Sequence, residues 1–222
     1  MMPKRRDTGF VIAVASVSGG GKTALVSKAA ELLGATTLYF DDYHAVSEYP
    51  ADTKKWVDDG ADLNLWKTPQ LARDLVSLKR GESIVSPVDE RTIQSSEFIV
   101  IEEPMGRGRA EMAKSIDFVV CIDTPLDVAF VRNFLQNLDS FSSENLEKAT
   151  KEELVEQVRN TIEELKDFIN GYIADGRMVY IAVQEQVKND CDLLLDGMKP
   201  IDVLADEVVK AIQTKGLYIP QR

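Results

Sequence analysis

The stretch Ser16-Val17-Ser18-Gly19-Gly20-Gly21-Lys22-Thr23 constrains this chain more than any other. It follows a continuous apolar run, Phe10 to Ala15, and precedes a helix-forming segment, Ala24 to Leu33. Strand, glycine-rich turn, Lys-Thr and helix, in that order, make a cradle for phosphate. Glycines let the backbone curl until several N–H groups face one hollow, and the helix N-terminus adds partial positive charge. Ser18, Gly19, Gly20, Gly21, Lys22, Thr23 and Ala24 are the expected phosphate-binding residues. Lys22 is placed to reach the outer phosphates, and the Thr23 hydroxyl to ligate Mg²⁺. The usual first glycine of such a loop is replaced by Ser16. A plain glycine-rich turn is the competing reading, and the Lys-Thr pair between strand and helix weighs against it.

The rest of the chain supplies an α/β frame for this loop. Apolar strands are expected at 36–40, 98–101, 118–122 and 191–197, alternating with helices at 69–80, 126–138, 144–173, 178–188 and 201–214. Thr68-Pro69 reads as a helix start with Thr as N-cap, Ser140 to Ser143 as a break, and Asp175-Gly176 as a turn. Residues 45–67 read as a long irregular loop, and 83–91 as extended. The alternation predicts a parallel sheet of about five strands flanked by helices, in three α/β/α layers. At 222 residues the chain suits one domain. Ligands of such sheets sit beyond the carboxyl ends of the strands. Polar residues stand there: Asp41 and Asp42 after the second strand, Glu102 and Glu103 after the third. Beside a phosphate-binding lysine, one carboxylate is suited to serve Mg²⁺ and another to take a proton from an attacking hydroxyl. Loop-end acids that merely cap helices or face water are the bland alternative.

Charge and cysteine usage narrow the partners. A net charge of −11 with no basic patch argues against nucleic acid as a partner. No apolar run approaches a membrane span, and the charged start followed by the phosphate loop excludes a cleaved signal peptide. Cys121 and Cys191 lie in apolar surroundings without metal-ligand spacing and read as reduced core residues of a cytoplasmic protein. A homodimer is left open.

The motifs together resemble a family of P-loop kinases that includes uridine kinase, phosphoribulokinase, pantothenate kinase and nicotinamide riboside kinase. Asp41-Asp42-Tyr43-His44 is similar to its D-x-[FY]-[HY] box, and Val100-Ile101-Glu102 to its third strand end. Ile122 to Val128 resembles the strand before its lid helix, and Cys191 to Ala205 its last strand and turn. The resemblance implies a P-loop fold over 1–222, an acceptor-binding insert at about 43–92 and a lid at about 126–145. It implies ATP- and Mg²⁺-dependent phosphorylation of a hydroxyl on a small metabolite such as a nucleoside, vitamin or sugar. Asp41 becomes the base facing that hydroxyl, with Lys22 and Arg132 catalytic and Thr23 and Glu102 on the metal side. Asp41, Tyr43, His44, Asp62, Asp89, Arg91 and Arg107 become candidate acceptor contacts. Trp56 and Trp66 are candidates for stacking on a flat ring, with Trp66 read rather as a loop anchor. Glu103-Pro104 stands where the family carries a glycine, and the helix after the fourth strand offers Arg132 as its one arginine, leaving Arg107 or Arg109 to add charge. A nucleotide-dependent switch and a catalytically silent relative are the competing functions.

Overall fold

The structure, a computed structural model, describes residues 9–140 and 150–217, excluding the side chains of 139 and 140. Its elements run β1 (Phe10–Ala15), α1 (Lys22–Leu33), β2 (Thr36–Leu38), α2 (Thr53–Asp58), α3 (Pro69–Lys79), β3 (Ile84–Val85), β4 (Thr92–Ile93), β5 (Phe98–Glu102), α4 (Ala110–Ala113), β6 (Phe118–Asp123), α5 (Leu126–Ser140), α6 (Lys151–Gly171), α7 (Arg177–Asp190), β7 (Leu193–Asp196) and α8 (Ile201–Thr214). Short 3₁₀ turns occupy Phe40–Val46 and Leu63–Leu65.

The main sheet has five strands, all parallel, in the order β2-β5-β1-β6-β7. β1 lies at its centre and is buried along its whole length. Because successive side chains leave a strand on opposite faces, one run of apolar residues feeds two cores. Phe10, Ile12 and Val14 join Leu25, Val26, Leu204, Val208 and Ile212 beneath α1 and α8. Val11, Ala13 and Ala15 join Leu71, Leu75, Leu78, Met112 and Val187 on the other face. These are the three expected layers, in a P-loop fold. β3 and β4 form a separate antiparallel pair.

Several local expectations give way to tertiary context. β2 stops at Leu38, and Phe40 turns into the 3₁₀ segment that carries Asp41. The long loop contains α2, whose Asp52 accepts a hydrogen bond from the Lys55 N–H as N-cap. The 83–91 segment contributes only Ile84 and Val85 to a strand. Asp175-Gly176 does not turn the chain. It lies in a π-helical stretch, Tyr172–Gly176, that joins α6 to α7 in one continuous helix. Aromatic packing of Tyr172 on Phe130, with rings 4.3 Å apart, overrides the Asp-Gly signal. Thr68 does precede α3, but its side chain makes no cap bond. The described start of α6 is a capping box, Thr150 with Glu153. Part of the predicted break and lid, 141–149, lies outside the described residues.

The N-terminal edge of the sheet is tied by one carboxylate. Asp117 Oδ2 accepts the Val11 N–H at 2.9 Å and the Lys79 ammonium at 2.8 Å. Asp117→Ala leaves the Val11 N–H without its acceptor, while Lys79 keeps the Ser115 carbonyl at 2.8 Å, and is expected to cost about 1–3 kcal/mol of unfolding free energy. Urea denaturation of the two proteins checks this.

Candidate functional site

The sheet order places the C-termini of β1, β2 and β5 side by side, so their end residues converge. The loop between β1 and α1 is tightly seated. Ser16 Oγ donates to the Ile122 carbonyl at 2.9 Å, and Thr124 Oγ1 donates to the Gly20 carbonyl at 2.9 Å. The serine in place of the usual glycine thus ties the first corner of the loop to β6. Gly19 has φ 73° and Gly21 φ 100°. A Cβ at Gly20 would lie 2.0 Å from Ser16 Oγ, and one at Gly19 would lie 2.0 Å from the Ala129 carbonyl oxygen in α5.

Lys22 is buried, and its ammonium donates to the Val17 carbonyl at 3.1 Å. It stands 3.6 Å from Glu102 Oε1. Burial draws the lysine below its ordinary pKa, opposed by the negative charges of Glu102 and Asp41. Glu102, also buried, accepts the Thr23 hydroxyl at 3.0 Å. Burial pushes its carboxyl above the usual carboxylate range, against the pull of Lys22 and Thr23. Thr23 and Glu102 therefore present hard oxygen donors side by side, a set that fits Mg²⁺ bound jointly with phosphates. Among the described residues no group of three or more His, Cys, Asp or Glu side chains is arranged to hold a metal by itself.

Asp41 follows β2 and is exposed into the same cleft as Lys22. That cleft, of about 150 Å³, is lined by Ser16, Val17, Ser18, Lys22 and Asp41. Its other walls are Phe40, Trp66, Pro104, Met105 and, from α7, Val179, Tyr180 and Val183. The carboxylate that is suited to take a proton and the lysine that is suited to hold phosphate face one space.

The remaining candidates scatter. Tyr43 is buried, its hydroxyl donating to Asp74 Oδ2 at 3.0 Å, so it anchors the 3₁₀ segment to α3 instead of facing the cleft. Asp62 accepts from the backbone and side-chain amides of Asn64 and serves as a local cap. Arg107 reaches the opposite end of the sheet. There it donates to the Ile116, Asp117 and Asp190 carbonyls and pairs with Asp192. Arg132 donates to the Gly197 carbonyl at 3.2 Å. His44 is exposed, its Nδ1 2.8 Å from the Tyr49 hydroxyl. Asp89 and Arg91 form an exposed ion pair at 3.3 Å. Burial raises the neighbouring Asp42 carboxyl, and the charge of Arg91 opposes that shift.

Trp66, read from sequence as the loop anchor, is the less buried of the two tryptophans. Trp56 is the buried anchor, its indole N–H donating to the Asp62 carbonyl at 2.8 Å. Trp66 packs edge-on against it at 5.5 Å and also walls the cleft; its Nε1 is buried with no partner among the described residues. The α7 wall was invisible in sequence, because Val179, Tyr180 and Val183 read only as one face of a helix.

Comparison with known proteins agrees with the motifs. The chain is similar to uridine kinases. It is 26% identical to a uridine kinase of Borrelia duttonii (strain Ly) over 189 residues, spanning 75% of this chain and 86% of the relative. A uridine kinase of Borrelia recurrentis (strain A1) matches with the same identity and coverage. No family model matches. Among solved structures, a possible uridine kinase from Bacillus stearothermophilus aligns with 88% of this chain and 92% of its own, at 17% identity and TM-score 0.47. A gluconokinase from Sinorhizobium meliloti 1021 covers 95% of both chains at 14% identity and TM-score 0.48. The P-loop fold stands on strand order and the loop itself.

Gly20→Ala is expected to weaken nucleotide binding by about tenfold or more, because the new methyl displaces Ser16 and reshapes the glycine-rich loop. Calorimetric ATP titration, with far-UV circular dichroism to confirm the fold, measures this.

Proposed function

We propose that the protein is a kinase that moves the γ-phosphoryl group of ATP to a hydroxyl of a small metabolite. The observation that carries this reading is the shared cleft. Lys22 and Asp41 line one space next to the Thr23–Glu102 pair. A nucleotide switch needs no such acid facing its phosphates.

In this reading the loop amides and Lys22 hold the β- and γ-phosphates. Mg²⁺, when bound by Thr23 and Glu102, offsets phosphate charge. Asp41 orients the acceptor O–H and takes its proton as the oxygen bonds to the γ-phosphorus. The bond from that phosphorus to the β,γ-bridging oxygen breaks, leaving ADP and a phosphate monoester. Trp66, Phe40, Met105 and Tyr180 keep water from the acceptor side. Their apolar surface favours a substrate with a flat or hydrophobic part, as a nucleoside has. The similarity to uridine kinases supports the same class.

A second reading, a catalytically silent relative, has its own observation. Arg107, Arg109 and Arg132 all bond elsewhere, and among the described residues lining the cleft Lys22 is the one cation. An ADP-release screen against nucleosides, pantothenate, sugars and sugar phosphates separates the two: ATP binding with no stimulated turnover favours the silent relative.

Two substitutions test the chemistry. Lys22→Ala should lower acceptor-stimulated ADP release by about 10²-fold or more with the fold intact. Asp41→Asn keeps the shape but not the base. It should lower kcat by about 10²–10⁴-fold while leaving ATP affinity nearly unchanged. Unchanged turnover in either variant would sink the kinase reading.

A further inference from the structure

Glu102 ends β5, and the Glu103 N–H still ladders to the Val14 carbonyl at 3.1 Å. Consecutive residues of a strand point to opposite faces. Glu102 therefore meets Thr23 and Lys22 on the α1 side, and Glu103 enters the layer on the α3 side. There it pairs with Arg109; both side chains are 0% exposed. Arg109 is the largest fully buried side chain described. A buried pair of this kind is costly to desolvate and is held only by a close set of partners. Arg109 Nη1 donates to the Trp66 carbonyl at 3.1 Å, to Thr68 Oγ1 at 2.7 Å and to Glu111 Oε1 at 3.1 Å. Its guanidinium carbon lies 5.6 Å from the centre of the Phe40 ring. Glu111 in turn accepts the Thr68 N–H at 2.7 Å.

The partners of Arg109 are the walls of the acceptor side. Phe40 immediately precedes Asp41, and Trp66 lines the same cleft as Asp41 and Lys22. A single planar cation touches both and is braced on the residue next to Glu102. Arg's fixed fork suits this task, whereas a lysine offers one point charge on a flexible stem.

We propose that Arg109, braced by Glu103, is a positioning residue for the acceptor: it fixes Trp66 and Phe40 relative to the strand end that carries Glu102, and so sets where the acceptor sits against Asp41. The role rests on the kinase reading, but its structural half does not need an acceptor to be tested. Arg109 touches no reacting atom and acts through Trp66 and Phe40.

The test uses Arg109→Lys and the milder Thr68→Val, which removes one hydroxyl link and leaves the ion pair. Two readouts are taken on full-length protein. The first is acrylamide quenching of tryptophan emission. Trp56 is only 3% exposed, so quenching reports mainly on Trp66. Both variants are expected to raise the quenching constant, by about twofold in Arg109→Lys. The second is steady-state kinetics with uridine as acceptor probe, or with the best acceptor from the ADP-release screen. Acceptor KM should rise about tenfold in Arg109→Lys, with ATP KM within about twofold of the parent. If Arg109→Lys fails to fold, Thr68→Val decides, with smaller changes in the same direction. Unaltered quenching in a folded variant overturns the proposal. So does an equal loss on the ATP and acceptor sides, which would mark a general structural role. Should the parent turn over no acceptor, the kinase reading fails by itself and quenching alone judges the positioning of Trp66.

Discussion

Alternation along one strand decides how this molecule is divided. Glu102 and Glu103 are neighbours in the chain, yet the pleat of β5 sends them into different layers. Each is buried, and a buried carboxylate persists only beside a cation or donors. Glu102 finds Lys22 and Thr23 beside the glycine-rich loop. Glu103 finds Arg109 in the opposite layer. Burial raises both carboxyls while the facing cation opposes it. The two buried ion pairs are thus joined through adjacent peptide units.

The parts legible in the sequence are those in which local pattern and tertiary role coincide. The run Phe10–Ala15 is apolar because both faces of β1 are buried, and the glycines at 19–21 are required by close approach and positive φ. That Asp41 and Glu102 come close to Lys22 follows from their places at the carboxyl ends of parallel strands. The surroundings of Arg109, Tyr43 and Arg107 are much less legible. Arg109 reads as a surface loop cation, and nothing local reveals that it is fully buried against Thr68, 41 positions earlier. Tyr43 sits in the right motif but its hydroxyl is spent on Asp74. Arg107 looked available because its partners, Asp192 and the Asp190 carbonyl, lie more than 80 positions away.

Helical segments show the same division. Periodicity found α6 and α7, but the Asp175-Gly176 dipeptide argued for a turn between them. The structure carries the helix through, because Tyr172 and Phe168 stack on Phe130 of α5 and hold the axis in line. Thr53 adds a hydrogen bond from α2 to Asp175 at that point. A helix from Lys151 to Asp190 is about 60 Å long at 1.5 Å per residue. Its second part supplies cleft wall, while none of the side chains of α6 is buried.

The missing side chain at Gly19 has a mechanical meaning. The space a Cβ would fill is occupied by the backbone of α5, at the Ala129 carbonyl and the Asn133 amide. The loop and this helix therefore interlock as two solid bodies, without a cushion of side chains between them. A shift of α5 toward the loop is blocked at once by hard contact, whereas a shift away loosens the loop's support. The stiffness of the phosphate cradle is in this sense borrowed from a helix more than a hundred residues downstream.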